Sequence, residues 1–225
     1  MKVFVFRIAK GNPGGVVRAS CPIEFGEKRK EIFDSVANTR QGLIPYETNG
    51  YKEYLKSELW DNYKLRQGWG FKGLDLRQKP IDWINNYLEG MRKYWNFTHE
   101  EMKEIDACET AAGRFDMLES ALLSAKKGDV IIIPSHSNTS SNSNPLHNSK
   151  SFTVLTVNGD YEFDVDENYK DFGHIIPVTN LKVFSYGDDF VGKDFTGYYQ
   201  RAVIEIKKNY KLHNKVMKFL KEKYL

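Results

Sequence analysis

An α+β fold is predicted for this chain, a small curved or closed sheet wrapped by helices, and three observations predict it. Apolar stripes at helical spacing occupy the middle of the chain. A continuous Ile-rich run follows a Gly-Asp turn, and strand-like segments around Asn158-Gly159 fill the third quarter. With 225 residues, 40% of them hydrophobic and 14% aromatic, the chain reads as one elaborated domain able to bury a sizeable core. The centre of that domain is expected at about residues 60–185, with a helical C-terminal tail at about 208–225.

The elements follow in order. Residues 3–9, with their β-branched and aromatic side chains, predict a buried strand, and the Gly/Pro cluster at 11–15 breaks it. Residues 27–37 predict a short helix with Ile32, Phe33 and Val36 on one face, and residues 51–60 another with Tyr54, Leu55, Leu59 and Trp60. Pro80 suits a first helical turn, and Ile81, Ile84, Tyr87, Leu88 and Met91 give the stripe that follows it. Thr98 with Glu101 has capping-box spacing, and residues 111–125 carry Phe115, Leu118, Leu122 and Leu123 on a further amphipathic helix.

The texture then changes. Val130-Ile131-Ile132-Ile133-Pro134 is short, unbroken and apolar, as a strand covered on both faces must be. The Ser- and Asn-rich residues 135–150 read as a loop. Strands are expected at 152–157 and 161–163, joined as a hairpin by Asn158-Gly159, whose two residues readily take positive φ. Segments 175–178, 181–184 and 201–206 add strands, and 211–224 a final helix.

Composition narrows the function classes. A net charge of +3 permits a nucleic-acid partner without requiring one, because local patches decide binding. Cys21 and Cys108 have no ligand-like spacing, so neither a structural metal site nor a disulfide framework is expected. The first apolar run is broken by Arg7, and no stretch is long enough to span a bilayer, so no membrane partner and a cytoplasmic location are expected. No cofactor-binding motif is present in the sequence.

The segment richest in possible chemistry is Leu65-Arg66-Gln67-Gly68-Trp69-Gly70-Phe71-Lys72-Gly73. Glycines flanking a Trp permit unusual backbone angles and the close approach of another surface. A flat ring with cations on either side has the parts that stack a base and hold its phosphate. Burial of Trp69 in a core explains the same residues. Tyr161 and Phe163 offer further aromatic walls. His174 reads as a neutral, hydrogen-bonded residue closing a turn, since no nucleophile is fixed near it. His136 and His147 bracket the polar loop without a third ligand at metal-like spacing. Glu205-Ile206-Lys207, with Asp188, Asp189 or Asp194 upstream, matches the acid-x-lysine strand motif of metal-dependent nucleases, but little chain follows to build a nuclease sheet, and an alternating strand with solvated charges on one face is the preferred reading.

Taken together, several motifs carry a resemblance. The Arg66 and Gly68-Trp69-Gly70 segment comes first, followed by Gly128-Asp129 with its strand to Pro134. Val157-Asn158-Gly159-Asp160-Tyr161 and His174-Ile175-Ile176-Pro177-Val178 complete the order. This series resembles the PUA-like domains, related to EVE and YTH domains, found at the front of Mrr- and Mcr-type restriction proteins. The resemblance implies a small β-barrel decorated by helices that recognises a nucleic-acid base, often a modified one, in DNA before RNA. It implies a role in restriction or anti-phage defence. By position, Trp69 becomes a pocket wall and Arg66 a phosphate or base-edge contact, with Phe71, Lys72, Tyr161 and Phe163 around them, while His174 supports the fold. Such domains are joined to a nuclease or motor ATPase. Here no Walker-type loop and no full nuclease domain is present, so a freestanding reader, a piece of a longer protein, or a partner of a separate nuclease or ATPase effector is expected. The alternatives are a nuclease using Glu205 and Lys207, or a protein-interaction module.

Overall fold

The computed structural model describes residues 1–6, 50–95, 97–104, 106–136, 148, 150–166, 172–187 and 203–225. The breaker at 11–15, the helix at 27–37, Cys21, His147, Asp188, Asp189 and Asp194 lie outside them, as does most of the loop at 135–150.

Among the described residues seven strands make one curled, open half-barrel, and helices cover it, so the chain is α+β. The strands are β1 (Val3–Phe6), β2 (Lys64–Gln67), β3 (Val130–Pro134), β4 (Ser151–Val157), β5 (Glu162–Phe163), β6 (His174–Ser185) and β7 (Val203–Glu205). Their order is β2-β6-β4-β3-β1-β7, with β5 beside β6. β1 runs parallel to β3, with Phe4 opposite Ile131, and the other pairings are antiparallel.

Alternation divides these strands between two cores. Phe4, Phe6, Ile131, Ile133, Leu155 and Val157 enter one, and Val3, Val5, Val130, Ile132, Phe152 and Val154 the other. The unbroken apolar run of β3 is therefore the signature of a strand covered on both sides. The Gly128-Asp129 turn before it has its own logic. Gly128 takes φ +91, and the Asp129 carboxylate accepts from the Lys2 and Lys126 amides at 2.6 and 2.9 Å.

Among the described residues four helices cover the first face: α1 (Gly50–Trp60), α2 (Pro80–Trp95), α3 (His99–Glu104) and α4 (Ala107–Leu118), the last prolonged by a π-turn at Glu119–Leu123. The start of α3 is the expected capping box: the Thr98 amide donates to Glu101 Oε2 at 2.7 Å, and the Glu101 amide to Thr98 Oγ1 at 3.2 Å. The stripe of α2 is rotated from the expected one. Trp83, Tyr87 and Met91 are fully buried, whereas Ile81 is exposed. Trp83 wins because it buries the largest ring and its indole N–H donates to the Leu74 carbonyl at 2.8 Å. The second face is covered by α5 (His213–Phe219) and a π-turn at Leu220–Tyr224, through Val216, Leu220 and Tyr224.

Two expectations about the strands are corrected. Asn158-Gly159 does not join a hairpin: β5 pairs with β6 and not with β4. Gly159 lacks the positive φ that a type I′ turn needs, and the Asn158 amide donates instead to the Pro177 carbonyl at 2.8 Å. The segments at 175–178 and 181–184 are one strand, β6, which changes register against β4 near Asn180, where φ is +51. Among the described residues no helix is long and apolar enough to cross a membrane.

Candidate nucleic-acid interface

β2 delivers the chain into the Gly68-Trp69-Gly70 loop, and β6 holds the loop from behind. Gln67 pairs with His174, and Gly70 forms a parallel bridge with Phe172. The left-handed backbone angle falls on Trp69 itself, φ +64, an outlier for a bulky residue. Gly70 answers a different need. A Cβ there would lie 2.8 Å from the His174 amide nitrogen, and one on Gly173 would strike the Gly70 carbonyl oxygen. The two glycines let the backbones meet, and the Gly173 amide donates to Gly70 O at 2.9 Å.

A chain of hydrogen bonds fixes the turn. The Leu76 amide donates to the Tyr161 hydroxyl at 3.2 Å, and Tyr161 Oη lies 2.8 Å from His174 Nδ1. His174 Nε2 lies 3.1 Å from the Trp69 carbonyl, which can only accept. His174 therefore carries its proton on Nε2 and takes the Tyr161 proton's bond on Nδ1. Burial pushes the His174 imidazole down to about 4, partly offset by its bond to Trp69. At pH 7 it is neutral with both nitrogens engaged, which makes it a support of the loop.

That burial has a pH consequence. The folded imidazole titrates near 4, below its ordinary value of about 6.5, so the unfolded chain takes up the proton first as pH falls. The His174 contribution is complete above about pH 6.5 and is lost on acidification toward pH 4, by about 3 kcal/mol in total. Urea midpoints at pH 7.5 and 4.5 are expected to differ more in wild type than in His174→Gln. Equal differences in the two proteins would contradict this assignment.

The Trp69 ring meets an unexpected neighbour. Arg114, 3% exposed, stands 4.9 Å from the Trp69 ring centroid and 5.3 Å from that of Tyr87. Phe71 stacks on Tyr87 at 5.9 Å, on a surface opened by Gly90, where any Cβ would strike the Phe71 ring. A buried guanidinium between two aromatic faces is a strong cation–π arrangement. Arg114 is absent from the residues singled out in the sequence, although a signal was there: it occupies a core position in the buried series Ala107, Thr110, Ala111, Arg114, Phe115 and Leu118.

Arg66 is turned inward. Only 6% exposed, it binds Glu58 through Nε, donates from Nη1 to the carbonyls of Asp164 and Phe172 at 2.8 and 3.0 Å, and lies over the Tyr54 ring at 5.3 Å. Its guanidinium clamps α1, β2 and the approach to β6, so it is not presented to a phosphate. Phe71 and Tyr161 are likewise buried, and Trp69 retains 9% exposure. Lys72 is exposed and Phe163 half-buried, its ring 5.4 Å from His174. The pairings place Gln67, His174 and Phe163 in one row across β2, β6 and β5, on the face of the larger core. Gln67 Oε1 is buried with no hydrogen-bond partner among the described residues.

No family model, curated protein or solved structure matches this chain. The remaining candidates are placed as follows. His136 is buried, stacked on Trp60 at 6.1 Å, with Nδ1 2.8 Å from Thr153 Oγ1. Glu205 ends β7 with its carboxylate 3.7 Å from Lys2 Nζ, and Lys207 is exposed beyond it. Among the described residues no group of three metal-ligating side chains gathers around Glu205 or elsewhere. Cys108 is an exposed free thiol.

Proposed function

We propose that this protein is a nucleic-acid-binding module that reads a base, in the first place a modified base in DNA, as part of a restriction or defence system and alongside a separate effector. The observation that carries the reading is the conformation of Trp69. A tryptophan held in the left-handed region costs backbone energy, and such outliers collect at ligand-binding sites where surrounding structure sustains them. The glycine contacts and the His174 bond sustain it here. Exposed Lys72 supplies charge beside the loop, Phe163 a second ring, and Gln67 Oε1 an acceptor suited to the amino group of a base. The ordered series of motifs shared with PUA-like domains supports the same reading.

The test uses residues that reach the surface and leave the clamp intact. Phe163→Leu is expected to reduce the preference for a modified duplex over its unmodified twin, since an aromatic–base stack is worth about 1–3 kcal/mol. Lys72→Gln is expected to weaken both duplexes together. Fluorescence anisotropy on the folded variants measures both, and variants that bind like wild type would remove the loop from the interface.

A further inference from the structure

We infer that the outer face of the C-terminal helical unit is a second nucleic-acid contact, one that binds the phosphate backbone without regard to sequence. The inference rests on the nucleic-acid reading above and names a different surface for it. Lys207, Lys208, Lys211, Lys215, Lys221 and Lys223 are all exposed. A seventh, Lys218, lies 3.9 Å from Glu222, the single acidic side chain in residues 207–225. Lys215 and Lys218, three apart, share one side of α5, and Lys207, Lys208 and Lys211 line the turn that leads into it.

An ordinary solvated helix mixes charges, and like charges at these spacings weaken it. Here the cost is sustained by firm anchoring on the other side. Leu212, Val216, Leu220 and Tyr224 are buried, and Tyr224 Oη donates to the Asn180 carbonyl at 2.8 Å and lies 2.7 Å from Thr156 Oγ1. Lys182 Nζ, from the neighbouring strand, donates to the Tyr224 carbonyl at 3.2 Å. The lysines therefore stand on a rigid base, preorganised for a polyanion. A duplex offers about one negative charge per 1.7 Å of its axis, dense enough to meet several of them together. An anionic membrane fits less well, because a surface-binding helix needs its apolar side for the lipid, and this one has spent it on the sheet.

The experiment titrates the full chain against a labelled unmodified duplex and its modified twin between 50 and 200 mM salt, as wild type and as Lys207→Gln/Lys208→Gln/Lys211→Gln/Lys215→Gln. Each phosphate contact contributes about 0.9 to the slope of log K against log[salt], so the variant, with four lysines neutralised, is expected to lose about 3.6 units of slope. Its preference for the modified duplex is expected to be unchanged. Glu222→Gln, which removes the one acid, is expected to tighten both duplexes. An unchanged slope in the quadruple variant overturns the inference, as does wild-type binding to phosphatidylserine vesicles with none to DNA. Equal affinity for the two duplexes with the slope loss intact overturns the Trp69 reading alone and leaves this one standing.

Discussion

Replacing Trp69 by alanine is expected to cost about 3–5 kcal/mol of folding stability, the range for truncating a large buried aromatic. Three contributions add. The indole is nearly buried within the larger core, and removing it leaves a void there. Arg114 loses the aromatic face 4.9 Å away. Alanine also inherits φ +64, an angle that favours glycine. Trp69→Gly is therefore expected to lose less than its smaller size implies. Urea unfolding followed by circular dichroism measures the series, and an alanine variant with a wild-type midpoint would show that Trp69 is dispensable to the core.

The second large effect is expected at Arg66. Arg66→Met removes the cation from a buried pair and leaves Glu58, among the described residues, with only Asn62, whose side-chain amide donates to it at 2.8 Å. Losing one partner of a buried ion pair typically costs about 3–5 kcal/mol, because the surviving charge is stranded. The carbonyls of Asp164 and Phe172 lose their donor as well. Arg66→Met/Glu58→Leu is expected to recover much of the loss, since a well-packed apolar pair removes the stranded carboxylate. If the double variant is as unstable as the single one, the cost lies in the lost carbonyl bonds and not in Glu58.

What was legible in the sequence follows the range of the forces involved. The capping box of Thr98 and Glu101, the apolar run of β3 and the amphipathic α1 and α4 are set by neighbours within one or two turns, and they stand where local pattern puts them. The Asn158-Gly159 hairpin failed because distant contacts outweigh the turn: Tyr161 is drawn to His174, and Asn158 to Pro177, both on β6. Arg66 read as a surface cation because its partner Glu58 sits among the core positions Leu55 and Leu59, and nothing local announces that pairing. Arg114 was hidden in the same way, since a helix-spaced cation gives no hint of the two rings that receive it. The neutral, supporting role expected of His174 agrees with its buried place between Tyr161 and Trp69.

The central proposal, that the loop around Trp69 reads a base, is tested most directly by titrating the full wild-type chain against paired DNA duplexes. The members of each pair are identical except for one modified base, and the titration is run at two salt concentrations. The account predicts measurable binding to both, a loss of affinity with salt common to both, and a tighter complex with one modified member that persists at the higher salt. Absence of binding to any duplex at low salt, or identical affinities across every pair, would contradict it.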